Sequence, residues 1–485
     1  MEVLQQALSS RGLAVVPIPG KGRGLVTTKD FSPGDVIFYQ EPYASTPSKL
    51  LGGSVCDGCF GSSNLRKCSG CRIAWYCGNV CQRSEWKVHQ LECQALAGLS
   101  EDRRKMLTPS IRLVVKLLLR RKLQDEQVIP TTPTDNYDLV NALVSHISDI
   151  DENQLVLYAQ MANLVKLVVP YVEINLKEVS ENFSKIACNA HTICDSELRP
   201  LGTGLYPVIS TINHSCLPNS VLVFEGRVAV VRAMEPITEG IEVLISYIET
   251  AATTSTRQKD LKQYFFSCRC PRCTKSLDED LRENAIMEGY RCMDKKCYGF
   301  LLHDTVKQTF ICQQCGLPRD QEKTKKTANE IEKLLSKAST CYSSGNYSEA
   351  CVLYKNIEQI QSKLCHPFSI NLMRTHETLM KIFMELKDWR SSLTICQLTI
   401  TVYQRVYPEN HPMVGLQYYT CGKLEWLLEL TDDALKSFTK ATNILRITHG
   451  TNTPFMRELL NKLDEARAEA AYKYSAGQSS ANKLL

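Results

Sequence analysis

Residues 205–220, LYPVISTINHSCLPNS, decide how the rest of this chain reads. An alternating apolar run leads into Asn213-His214-Ser215-Cys216, and Pro218-Asn219 then breaks regular structure. Polar groups just beyond a buried strand must be hydrogen-bonded or put to use, because an unsatisfied one beside a core costs free energy. Three other pieces point back to this stretch. The turn Gly20-Lys21-Gly22-Arg23-Gly24-Leu25 has alternate glycines that let the backbone approach a ligand, with Lys21 and Arg23 available to an anionic group. A strand over Ile241–Tyr247 is predicted downstream. Cys268, Cys270 and Cys273 are one ligand short of a tetrahedral metal site, and Cys216 is the thiolate that would complete it.

The chain has 485 residues, 44% hydrophobic and 22% charged, which is room for several folded domains. A net charge of +5 gives no strong direct nucleic-acid signal. No apolar run is long enough to span a membrane, and the opening MEVLQQALSSRG lacks the apolar core of a signal peptide. Of the 22 cysteines, 17 precede residue 320, mostly in tight pairs. Without a secretory signal these read as metal ligands rather than disulfides.

Strands are expected at Leu13–Val16, Leu25–Thr28 and Asp35–Tyr39. Next comes Cys56-x2-Cys59-x8-Cys68-x2-Cys71-x5-Cys77-x3-Cys81-x7-His89-x3-Cys93, eight soft ligands for two zinc sites, ending in a helix over Gln82–Cys93. So short a segment cannot build its own core, so metal supplies its folding energy. Residues 97–187 turn helical, with Ile111, Val114, Val115, Leu118 and Leu119 at helical spacing, and Leu139, Leu143, His146 and Ile147 likewise. The cluster Lys116, Arg120, Arg121, Lys122 reads as a solvated face.

From 188 to 250 the pattern returns to short strands. Cys292-x4-Cys297-x14-Cys312-x2-Cys315 reads as a small zinc ribbon. Beyond a charged linker at Arg319–Lys326, Ala350, Ser392 and Ala434 recur every 42 residues in helical sequence, the mark of a TPR-like array.

The cysteine-rich segment resembles a MYND zinc finger. The glycine turn, Asn-His-Ser-Cys, the strand ending in Tyr247 and the cysteine trio, in that order, resemble a SET domain. Together with RQKDLKQYFFSCRCPRC at 257–273, the chain is identified as a member of the SMYD-type (SET and MYND) protein-lysine methyltransferases. The resemblance implies interleaved zinc sites, Cys56, Cys59, Cys77 and Cys81 holding one ion and Cys68, Cys71, His89 and Cys93 the other. It implies S-adenosylmethionine as cofactor, bound by Lys21, Gly22, Arg23, His146, Asn189, Asn213, His214, Tyr247, Tyr264 and Phe266. Tyr247 is then the catalytic tyrosine, and His191, Tyr206, Tyr247 and Tyr264 line the substrate channel.

The expected architecture is α+β and multidomain: a β-rich SET domain at 10–50 and 188–250, split by a MYND finger at 51–96 and a helical insert at 97–187. A post-SET zinc segment at 251–280, a ribbon at 281–320 and a TPR-like helical domain at 321–475 follow. Three structural zinc sites are expected, with the ribbon as a fourth. The implied partners are a protein substrate carrying the target lysine and proteins docking on the finger and the array, in nucleus and cytoplasm. The competing reading is a MYND/TPR interaction scaffold with weak or no methyl transfer.

Overall fold

The structure, a computed structural model, describes residues 2–48 and 54–481. The expected boundary at 50/51 lies outside the described residues. Two compact units result: Met1–Ile245 with Leu261–Ser267, and Ser246–Asp260 with Cys268–Leu485.

In the first unit, α1 (Glu2–Ser9) is followed by β1 (Leu13–Ile18) and β2 (Gly22–Thr27), an antiparallel hairpin pairing Leu13 with Thr27 and Ile18 with Gly22. Gly20 and Gly22 take φ of +73° and +77°, so the tight turn requires glycine there. β3 (Val36–Gln40) and β4 (Ala44–Pro47) come next. The finger contributes a two-residue hairpin, β5 (Arg66–Lys67) and β6 (Trp75–Tyr76), then α2 (Asn79–Ala97), longer at both ends than expected.

The insert holds α3 (Glu101–Met106), α4 (Pro109–Asp125), α5 (Tyr137–Asn141), α6 (Glu152–Val168) and α7 (Leu176–Asn189). Four of the five have a cap supplied by sequence: Thr108, Asn136, Asp151 and Asn175 each accept a first-turn N–H. α4 is the hub of this unit, with Leu113, Val114, Val115, Leu117 and Leu119 all fully buried. The solvated face expected around Lys116 is corrected: Lys116 is buried and ion-paired with Asp57, 3.3 Å away. The helix expected to carry His146 is also corrected, since α5 ends at Asn141 and His146 sits in a loop at φ +50°.

β7 (Ala190–Cys194) and β8 (Pro200–Leu205) form a three-stranded sheet in the order β4-β8-β7. β9 (Asn213–His214), β10 (Ser220–Glu225), β11 (Val228–Ala233) and β12 (Leu244–Ile245) complete the unit, in sheets β10-β11-β3 and β12-β9. The strand expected over Ile241–Tyr247 is shorter, because only Leu244 and Ile245 pair with β9, with Glu242 in an isolated bridge to Val26.

The second unit contains α8 (Thr254–Leu261, whose last residue belongs to the first unit) and α9 (Leu277–Met287), started by a Ser276/Glu279 capping box. A three-stranded ribbon follows, β13 (Leu301–Asp304), β14 (Thr309–Cys312) and β15 (Pro318–Asp320). The helical array is α10 (Gln321–Ser343), α11 (Tyr347–Leu364), α12 (Ile370–Glu385), α13 (Trp389–Val406), α14 (Pro412–Leu427), α15 (Thr431–His449) and α16 (Pro454–Ala481). Most of the expected linker at 319–326 is instead the first turn of α10, capped by Asp320. Ala350, Ser392 and Ala434 each fall four residues into α11, α13 and α15 and are fully buried, which is the small-residue contact the 42-residue repeat encodes.

Candidate active site and metal centres

The polar tetrapeptide is satisfied from both sides. β9 pairs in parallel with β12, Asn213 against Leu244 and His214 against Ile245, and the Ser215 N–H donates to the Ile245 carbonyl at 2.9 Å. The Asn213 amide donates to the Arg23 carbonyl at 3.1 Å and to Glu242 Oε1 at 2.8 Å. Glu242 Oε2 accepts from Lys21 Nζ at 2.5 Å. A Cβ at Gly24 would lie 3.0 Å from both Asn213 Nδ2 and Glu242 Oε1, so this glycine lets β2 close on the asparagine. Downstream, Asn219 accepts from Leu244 N at 2.9 Å and donates to the Glu242 carbonyl at 2.9 Å, fixing the far end.

Of the sequence-derived cofactor residues, Lys21 and Arg23 both have protein partners. Lys21 pairs with Glu242, and Arg23 Nη2 donates to the Ala142 carbonyl at 2.5 Å. Beside Gly22 nothing among the described residues lies within 4 Å of a would-be Cβ, so the backbone there has open space. His146 stacks on Phe265 at 4.8 Å and 20°, and its Nδ1 is 3.0 Å from Asp149 Oδ2. Asn189 donates to the Val144 carbonyl at 2.8 Å and the Lys185 carbonyl at 2.7 Å, so it braces the loop leading to His146. His214 is buried, with its Nε2 3.3 Å from Cys216 Sγ and its ring 6.0 Å from Phe266.

His191 lies on β7 opposite Gly204. Its Nε2 is enclosed without a hydrogen-bond partner among the described residues, and burial holds its pKa down to about 4, so the imidazole is neutral. Tyr206 stands behind it, ring edge to ring face at 6.0 Å, fully buried with its hydroxyl donating to the Arg227 carbonyl at 2.6 Å. Tyr264 ends a short 3-10 turn, and burial raises its pKa. Tyr247, in the second unit, follows two residues after Ile245 and just past the strand. Its segment is shaped by Ser246 Oγ donating to the Ile248 carbonyl at 2.8 Å. Sequence reasoning missed Glu242 and Phe265. An acid between Ile241 and Val243 was the available signal for the first; the left-handed turn at Phe265, φ +59°, left none.

The cysteine sets assemble as spaced. Ligand atoms of Cys56, Cys59, Cys77 and Cys81, of Cys68, Cys71, His89 and Cys93, and of Cys292, Cys297, Cys312 and Cys315 lie within 4.8 Å of one another in each set. Zn–S bonds of about 2.3 Å would put tetrahedral sulfurs about 3.8 Å apart. Observed separations are 3.6 Å for Cys59–Cys77, 3.7 Å for Cys68–Cys93 and 3.7 Å for Cys297–Cys312, so each donor set fits zinc with no position left for water. Backbone N–H groups of Gly58, Gly61 and Gly299 each donate to a ligand sulfur at 3.4 Å. In the second unit the sulfurs of Cys268, Cys270 and Cys273 also lie within 4.8 Å, whereas Cys216 belongs to the first and is fully buried.

Residues 22–248 match the family model of the SET domain. Histone-lysine N-methyltransferase ASHR1 of Arabidopsis thaliana is 55% identical over 98% of this chain and 100% of its own length. N-lysine methyltransferase SMYD2-A of Danio rerio is 29% identical over 92% of this chain and 96% of its own length. Histone-lysine N-methyltransferase SMYD3 of Mus musculus is 28% identical over 92% and 96%.

Proposed function

The chain belongs to the SMYD-type family of SET-domain proteins, and on that premise we propose that it methylates lysine side chains of proteins with S-adenosylmethionine. The observation that carries the reading is Asn213-His214 locked between the glycine turn and β12, with Tyr247 leaving that strand two residues later.

When bound, the cofactor supplies a methyl group on a sulfonium, open to in-line displacement by a neutral amine. The open space beside Gly22 and the donors around it fit its amino-acid end. Lys21, Gly22 and Arg23 would hold that end, Asn213 and His214 its methionine and adenine parts, and His146 and Asn189 the remainder. Tyr264 and Phe266 would wall the channel. A lysine ammonium has a pKa near ~10.4, so the site must favour loss of its proton. Aromatic walls do so by desolvation, and His191 at the lysine entry, backed by Tyr206, is an uncharged imidazole rather than an anion that would hold the proton on the ammonium. The Tyr247 hydroxyl would sit beside the transferring methyl.

Zinc is proposed as structural, with Cys216 completing the set of Cys268, Cys270 and Cys273 and the ribbon holding a fourth ion. A MYND identity for the finger, histone or other protein substrates, partner docking on the finger and the array, and residence in nucleus and cytoplasm belong to the same proposal. The test is transfer of tritiated methyl to a protein extract by the wild type, Tyr247→Phe and His214→Ala. Labelled protein with wild type alone is the expected result. No labelling by folded wild type would leave the scaffold reading.

A further inference from the structure

Tyr247 is followed by a segment held both by its own turn and by residues far away in the sequence. Glu249, two positions on, accepts from the Tyr407 hydroxyl at 2.9 Å and from the Ala251 N–H at 2.7 Å. The Thr250 carbonyl accepts from Arg272 Nη1 at 2.8 Å, and the Ala252 carbonyl from Arg257 Nη1 at 2.5 Å. Thr250, Ala251, Ala252, Arg257, Arg272 and Tyr407 are all buried.

The Tyr407 anchor is itself held on two sides. It caps the C-terminus of α13, its N–H donates to the Tyr403 carbonyl at 3.0 Å, and its ring stacks on His411 at 4.4 Å and 12°. Burial and the nearby Glu249 charge raise the pKa of its hydroxyl, which therefore keeps the proton it donates. A buried hydroxyl bonded to a carboxylate is a charge-assisted hydrogen bond with a defined direction. Glu249 and Tyr247 are separated by one residue, so where Glu249 is held limits where Tyr247 can go.

Resting on the methyltransferase reading above, we infer that the helical array has a catalytic duty: Tyr407, acting through Glu249, is a positioning residue for Tyr247. The array is then part of the catalytic apparatus as well as a docking surface for partners.

The test is Tyr407→Phe in the full chain, which deletes only the hydroxyl. Displacing a reacting group by about 1 Å can cost up to ~100-fold, and we expect kcat to fall about ten-fold at unchanged affinity for S-adenosylhomocysteine. Hydrogen exchange in the peptide spanning 246–253 should quicken, while the finger's does not. Glu249→Gln, which still accepts from the hydroxyl, should lose less than Glu249→Ala. The Tyr407→Phe/Glu249→Ala double variant should be no worse than Glu249→Ala alone. Tyr419→Phe deletes a comparable Tyr–Glu bond elsewhere in the array, at 2.9 Å to Glu458, and should leave kcat unchanged. Unchanged kcat in Tyr407→Phe, equal losses in Tyr407→Phe and Tyr419→Phe, or additive losses would overturn the positioning role. Wild type that transfers no methyl at all would instead overturn the reading beneath it, and this role with it.

Discussion

The guanidinium of Arg112 and the carboxylate of Glu92, from different helices of the first unit, meet at 2.7 Å with 9% and 0% of their side chains exposed. Glu92 turns its other oxygen to His89 Nδ1 at 2.8 Å, and Arg112 reaches Asp57, between Cys56 and Cys59, at 2.7 Å. Lys116 joins Asp57 to the Ser45 carbonyl of β4 at 3.0 Å. One buried chain of charges thus runs from both finger metal sets to the sheet that carries His191, and the finger is built into this unit rather than hung from it. Burial alone would raise the Glu92 pKa, but Arg112, Lys116 and His89 outweigh it and hold the carboxyl far below the usual range.

Arg112→Met should therefore destabilise severely, by about 3–5 kcal/mol, because it takes the guanidinium from the buried Glu92 carboxylate and leaves Asp57 with Lys116 alone. Denaturant unfolding of the full zinc-loaded chain measures this. Glu92→Gln keeps an acceptor for His89 but not the charge, and should cost less while weakening zinc retention at the His89 set by about 10–100-fold in chelator competition.

Gly24→Ala should act on cofactor binding through geometry. The new Cβ would meet Ile18 Cγ1 at 2.7 Å and the Asn213–Glu242 pair at 3.0 Å, so the asparagine must shift. A loss of about 1–3 kcal/mol in stability is expected from overpacking. S-adenosylhomocysteine affinity by calorimetry should fall at least as far as the shift demands, by about ten-fold.

Zinc should leave in a fixed order. Cys315 is exposed and the ribbon has little core beyond Leu301, Tyr290, Phe310 and its own ligands, whereas Cys68, Cys71, His89 and Cys93 are all buried. Native mass spectrometry during chelation should start at four zinc ions, lose the ribbon ion first and the His89 ion late. Cys315→Ser should start at three. Loss of a finger ion ahead of the ribbon's would contradict this order.

Acid should weaken the fold through two imidazoles. Burial holds His191 and His411 down to about 4, below an unfolded value near ~6.5. Between those values the unfolded chain takes up protons that the folded chain refuses, so stability falls as pH drops through that window and is insensitive to these groups above it. At pH 5 the cost is at most about 2 kcal/mol each. His411 also caps α14, Nδ1 accepting from Met413 N at 3.3 Å, which a protonated ring cannot do. His411→Asn retains a cap, and its unfolding free energy should fall less between pH 7 and pH 5 than that of the wild type.

Legibility followed sequence distance. The finger and ribbon sets could be read because tetrahedral coordination leaves thiolates few separations within a short segment, and observed sulfur contacts match those pairs. The buried small residue at the fourth position of α11, α13 and α15 was legible because a repeat writes its packing into its period. His146 was misplaced on a helix since apolar spacing says nothing about where a helix stops, and α5 ends five residues earlier. Lys116 was misread because its neutralising partner, Asp57, is 59 residues away.

The sequence by itself determined the chemistry on offer: which thiols and imidazole could share metals, which glycine turn and Asn-His pair could face a cofactor, and which tyrosine follows the strand. Only tertiary structure decided which charges are buried together and which array residue holds the segment after Tyr247. Coordination and helix repeats are local rules, repeated at short range. Pairing Arg112 with Glu92 and Asp57, or Tyr407 with Glu249 across 158 residues, depends on the whole chain having closed on itself.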